Sequence, residues 1–202
     1  MFESQVKGFV KLLLAVILIV TLWLWTSHDM SIWRALRLAA FNVTSIVTTT
    51  GYFTSDYSQW GTFAVGMFFL LMFVGGCSGS TAGGIKIYRM QVANMLTRSY
   101  LLQLISPNRI VTLAYNGRRL PEDVPFAVIA FLAIYLATIG TFTVILAAFG
   151  LDFITAISAA TGAVSTIGPG LGELIGPNGN YSALPAAAKW VLSYAMLLGR
   201  LE

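Results

Sequence analysis

Charge is scarce in this chain. Asp, Glu, Lys and Arg make up 10% of its 202 residues, against about 25% in soluble domains. Hydrophobic residues make up 57% and the mean hydropathy is +0.78, so a water-facing surface is excluded for most of the chain and a bilayer is the implied solvent. Cysteine is reduced to Cys77, which excludes an intrachain disulfide; in an apolar segment it reads as a buried, inert thiol. The net charge of +4 forms no patch on a soluble face, which excludes nucleic acid as a partner.

What charge there is lies unevenly. Lys86, Arg89, Arg98, Arg109, Arg118 and Arg119 all fall between two apolar regions, the positive-inside pattern of a cytoplasmic connection. Lys7 and Lys11 agree with it. Asp29, Asp56, Asp152 and Glu173 then face outward, and Arg34 and Arg37 sit on a helix that enters the membrane part-way.

Four apolar stretches are candidate spans: residues 9–25, 60–76, 124–149 and 184–198. A crossing takes about 17–25 such residues. The first ends in Trp23-Leu24-Trp25, an interfacial aromatic belt rather than a cleavage site for a signal peptide. The last is short, and its stop at Glu202 reads as a truncation in mid-helix. Ser31 is a candidate cap for a helix over 32–47, and Asp152 for one over 153–162; both are too short to span. Gly150 closes the 124–149 helix. Turns are expected at Ser106-Pro107-Asn108 and Asn116-Gly117.

The chain then repeats itself. Phe41 to Tyr52 and Ser158 to Pro169 align so that Thr44 meets Thr161, Thr48 meets Ser165, Thr49 meets Thr166 and Gly51 meets Gly168. Each copy is a short helix running into a Thr/Gly turn between apolar segments. The expected fold class is therefore an all-α integral membrane protein of two tandem units, each a membrane helix, a pore helix with its loop, and a second membrane helix. That is half of a four-repeat, potassium-channel-like pore. The units cover residues 1–97, with a broken second helix, and 124–202, joined by a cytoplasmic connector at 98–123.

A potassium ion crosses a membrane by exchanging its water shell for other oxygens. Thr48-Thr49-Thr50-Gly51-Tyr52 and Ser165-Thr166-Ile167-Gly168-Pro169 can supply backbone carbonyls, with Thr hydroxyls at the mouth. The C-termini of the preceding helices carry partial negative charge, which favours a cation. Neither run holds a carboxylate, so selection would rest on carbonyl geometry. A plain turn in each copy is the alternative.

Gly75-Gly76-Cys77-Ser78-Gly79-Ser80-Thr81-Ala82-Gly83-Gly84 interrupts an apolar segment. Each glycine costs about 1 kcal/mol in a helix relative to Ala, so a loop is expected. At membrane depth such backbone survives only inside protein or against a wet cavity. It reads as a flexible loop in the ion path; small-residue helix packing through Gly75, Gly79 and Gly83 is the alternative. Aligning residues 72–75 with 196–199 puts Arg200 level with Gly76. A cation there opposes a passing ion and can be held by loop carbonyls, unless Arg200 merely ends the last helix.

Two other classes are open. Gly76-Cys77-Ser78-Gly79 matches the Gly-x-Ser-Gly of intramembrane serine proteases, but a base is needed beside Ser78 and the lone histidine, His28, lies near the opposite interface. Half of a broken-helix secondary transporter is the other.

The runs at 48–52, 75–86, 168–172 and 196–202 resemble the Trk/Ktr/HKT superfamily of cation transporters, over essentially the whole chain. The resemblance implies potassium uptake through four such repeats, of which this chain matches the last two. It implies filter glycines at Gly51 and Gly168, and K+ held at Thr49, Thr50, Gly51, Thr166, Ile167 and Gly168. It also implies a gating loop at 75–84, a gating arginine at Arg200, and no covalently bound cofactor. The implied partners are the missing N-terminal repeats, a second copy in a homodimer, a cytosolic nucleotide-binding regulatory subunit (TrkA-like) and the lipid of a bacterial inner membrane.

Overall fold

The structure is a computed structural model and describes residues 3–106, 113–121, 123–172 and 174–201. The expected turn at 106–108 lies mostly outside those residues, as do Arg109, Glu173 and Glu202. Among the described residues seven α-helices carry the fold: α1 (Ser4–Ser27), α2 (Ile32–Val47), α3 (Thr62–Leu71), α4 (Ile87–Ile105), α5 (Asp123–Ala148), α6 (Phe153–Val164) and α7 (Ala186–Arg200). A two-stranded hairpin, β1 (Ala114–Tyr115) and β2 (Arg118–Arg119), turns at Asn116-Gly117, both with positive φ. The sequence marked that turn but not its strands.

Among the described residues only α1 and α5 are both long and apolar enough to cross a membrane. At 1.5 Å per residue each is roughly 36–39 Å long. The expected span at 60–76 is instead the ten-residue α3, which stops at Leu71. Beyond it the chain tightens into turns, because Gly75 lies where a Cβ would strike the Gly83 carbonyl and Gly84 takes φ +75°. α2 has the expected bounds. Ser31 stands at its N-cap position but makes no side-chain capping bond. At α6, Asp152 Oδ2 accepts from the Thr155 N–H at 3.1 Å, and hydrogen bonds from Thr155 hold its carboxyl below the usual value. Gly150 ends α5 at φ +88°.

α1 packs on α2, and α5 packs on α6 and α7, so each unit is a long helix with a short one folded beside it. Two apolar cores result, and each takes residues from the other unit. Ile167 and Leu171 insert among Val43, Val47 and Met72 in the first; Phe73 and Ile85 pack against Tyr135, Ala163 and Val164 in the second.

Candidate functional site: two matched turns, a glycine-rich loop and Arg200

The ends of α2 and α6 are the same structure. Thr49 donates to the Ile46 carbonyl at 3.0 Å and Thr50 to Ser45 at 2.8 Å; Thr166 donates to Ala163 at 3.0 Å and Ile167 to Gly162 at 2.9 Å. These are Schellman pairs. The left-handed position they require is filled by Thr49 and Thr166, both at φ +55°, where a non-glycine residue is strained by about 1–2 kcal/mol. The next positive φ comes two residues on in both copies, at Gly51 and Gly168. The sequence marked Thr49 and Thr166 together with the glycines, but gave no sign that these threonines are strained.

The two turns touch. A Cβ on Gly51 would strike the Ile167 carbonyl oxygen and lie 3.1 Å from Pro169 Cδ, whereas one on Gly168 would meet nothing within 4 Å. Tyr52 is exposed, as is Thr50. The Thr48 hydroxyl is turned back, donating to the Thr44 carbonyl at 2.7 Å and standing 2.8 Å from Thr50 Oγ1. Buried Ser165 pairs with the Tyr135 hydroxyl at 2.6 Å.

A further repeated feature follows each turn and was not read from the sequence. Asp56 and Asn180 each accept a backbone N–H two residues on, from Ser58 and Ser182, and open a short 3-10 turn that begins at Tyr57 and Tyr181. The Asx-Tyr-Ser identity at 56–58 and 180–182 was the available signal. Tyr181 donates to the Gly168 carbonyl at 2.6 Å, and burial pushes its phenol up to about 12. Tyr57 is buried and stacked on Phe68; burial, then the Asp56 charge, raises its pKa as well. Asn178 reaches Asp56 across the two units at 3.2 Å.

The glycine-rich loop is closed at its base. Val74 and Ile85 form a parallel bridge, with Gly75 donating to Ile85 at 2.9 Å and Ile85 to Phe73 at 2.8 Å. The base is buried and the tip, Ser78 to Thr81, is exposed. Cys77 is half-buried, and Ser78 N–H bonds Gln5 Oε1 at 2.9 Å. Gly76 leaves room for the Ser80 side chain, Ala82 is half-buried, and Gly83 lies directly against the Ser165 carbonyl and Thr166 Oγ1. α7 approaches the same place: a Cβ on Gly199 would strike the Val164 backbone. Arg200 donates from Nη1 to the Thr81 carbonyl at 2.5 Å, lining a cavity of about 270 Å³ with residues 80–83 and Lys86.

The protease geometry fails. Ser78 is tied to Gln5 at one end of α1 and His28 closes the other, about 35 Å of helix away.

The profile of the TrkH family, described as a cation transport protein, matches residues 8–202. The chain belongs to that family. It is 48% identical over 200 residues to the Trk system potassium uptake protein TrkI of Halomonas elongata, covering 99% of this chain and 40% of that protein. It is 36% identical to the TrkH protein of the same organism, over all of this chain and 41% of the relative. The crystal structure of the potassium transporter TrkH from Vibrio parahaemolyticus superposes with a TM-score of 0.91 at 32% identity, covering 98% of this chain and 42% of that one. The chain thus spans about two fifths of the length of the relatives it matches. By name these relatives are transporters, not enzymes.

Proposed function

We propose that this chain supplies two repeats of a potassium uptake pore in a bacterial inner membrane, residues 1–97 and 124–202, joined on the cytoplasmic side by 98–123. The observation that carries the reading is the paired ending of α2 and α6. The same hydrogen bonds, the same strained threonine and the same positive-φ glycine recur in both, and one turn packs on the next through Gly51 while Gly168 stands open. Like units packed head to tail leave one free face at each end, and such an arrangement closes into a ring when further units complete it. Two more repeats would complete this one.

In that ring Thr49, Thr50 and Gly51, with Thr166, Ile167 and Gly168, hold K+ through backbone oxygens. The Tyr181 hydroxyl fixes the Gly168 carbonyl and leaves its second lone pair free. Residues 75–84 and Arg200 form the gate beneath. The Thr81 carbonyl holds the guanidinium beside the loop, and the contact of Gly83 with Ser165 couples the loop to the turn above. A homodimer and a TrkA-like nucleotide-binding regulator complete the assembly. Ion coupling through the break between α3 and α4 is the second reading, favoured by that break; uptake that follows a second ion's gradient would select it.

The gate is tested by Arg200→Ala in the full transporter. One fixed charge near the path raises a passing cation by at least about 1 kcal/mol, several-fold in rate, so potassium flux rises. Arg200→Lys keeps the charge without the planar fork and falls between wild type and Ala. Wild-type flux in both variants would leave Arg200 as the end of a helix.

A further inference from the structure

At the opposite end of α1 from His28, three cations converge on one groove. Lys7 and Lys11, one turn apart on α1, and Arg98 of α4 line a recess of about 440 Å³ together with Asn94 and Tyr115. Its floor is built rather than incidental. The Gln91 amide donates to the Ser4 carbonyl at 3.0 Å and accepts from the Tyr115 hydroxyl at 2.8 Å, and Gly8 lets α4 close on α1 at Gln91. Among the described residues no carboxylate lies within ion-pair distance of Lys7, Lys11 or Arg98. Glu3, at the start of the same helix, accepts from the Gln5 amide and does not line the groove. The ion-conducting reading uses none of these groups.

Leu14 and Leu18 follow Lys7 and Lys11 on the same face of α1, three and seven residues beyond Lys11, and both stand exposed, as do Val6 and Val10 on the neighbouring face. Lys7 lies about 5 Å along the helix from Ser4, at the level of headgroups beside a hydrocarbon core of about 30 Å, and Lys11, one turn deeper at the edge of the span, reaches that level with its long side chain. Cations at headgroup level above an exposed apolar stripe match an amphiphile with an anionic head, and a free phosphate or an acidic peptide would leave the stripe unused. We propose that this groove binds the phosphate headgroup of an anionic phospholipid, with the acyl chains along Val10, Leu14 and Leu18. The proposal rests on the membrane placement given above and not on ion conduction.

Native mass spectrometry of the detergent-purified chain tests it, with cardiolipin, phosphatidylglycerol, phosphatidylcholine and inorganic phosphate as probes. Cardiolipin and phosphatidylglycerol should be retained over phosphatidylcholine. Each of Lys7→Gln, Lys11→Gln and Arg98→Gln should weaken retention roughly fivefold, and the triple variant on the order of a hundredfold. Lys189→Gln, at the other end of the molecule, should change nothing, and a Lys7→Arg, Lys11→Arg variant should retain the lipid. If the triple variant fails to fold by circular dichroism, the single variants decide. Equal retention of phosphatidylcholine, displacement of lipid by inorganic phosphate at equal concentration, retention unchanged by the substitutions, or capture of a polyglutamate peptide in place of lipid would each overturn it. None of these readouts measures flux, so the result stands apart from the test of the pore.

Discussion

Gly51 and Gly168 occupy the same position in their turns and differ in what stands beside them. Both need positive φ, but only Gly51 faces a neighbouring backbone, the Ile167 carbonyl. Gly51→Ala should therefore lower the stability of the chain by the strain of its φ plus about 1–3 kcal/mol of overpacking, and Gly168→Ala by the strain alone. Thermal melts in detergent compare them, and equal losses would mean that the turns do not pack as described. Tyr181→Phe removes the bond to the Gly168 carbonyl and should cost about 1 kcal/mol. That bond needs the protonated phenol. Burial raises the pKa from 10.0 to about 12, so its contribution is whole below pH 10 and lost as pH rises through about 12. Alkaline unfolding of the wild type should thus be steeper than that of Tyr181→Phe, with a remainder from Tyr57, which shifts the same way. Unchanged alkaline behaviour in the variant would contradict the buried bond.

Helix ends show what the sequence made legible. Asp152 was readable as a cap because its carboxylate has an N–H to accept, from Thr155. Ser31 offers the same chemistry yet makes no such bond, since position alone does not aim a hydroxyl. Asp152→Ala should cost about 1 kcal/mol and Ser31→Ala a fraction of that. The Asp152 pKa is lowered from 3.8, so its contribution is present above that pH and lost on acidification. The two wild-type-to-Ala differences should converge in acid, and a gap that persists there would assign the loss to something other than the carboxylate. The 75–84 loop was readable from its glycines, which no helix tolerates at that density. Its clamp, Val74 on Ile85, was not, because a bridge between two apolar residues leaves no local pattern. Removing Ser78 and Gly79 from the exposed tip should raise potassium flux without loss of folding, as the clamp lies outside the deletion. Folded protein with unchanged flux would favour a packing role for the loop.

At the scale of the whole molecule, the recurrence of one turn at the ends of α2 and α6 was legible because both copies keep the same residue types in register, Thr44 with Thr161 and Gly51 with Gly168. How the copies meet was not. The exchange of Ile167 and Leu171 for Phe73 and Ile85 between the cores joins residues far apart in sequence, and Asn178 on Asp56 depends on a longer loop in the second copy only. The backbone strain at Thr49 and Thr166 was hidden as well, since threonine carries no sequence preference for positive φ. The open side of Gly168 makes a prediction about the chain alone. Reconstituted without further repeats, it should give no potassium-selective flux, and selective flux from it would show that two turns suffice. The central claim is that these turns select potassium, and the most direct measurement is the ratio of potassium to sodium uptake in cells carrying the full transporter with Gly51→Ser, at matched protein abundance. The account predicts a ratio lowered by roughly tenfold or more, as a side chain displaces the Ile167 carbonyl from the ring of oxygens; an unchanged ratio would contradict it.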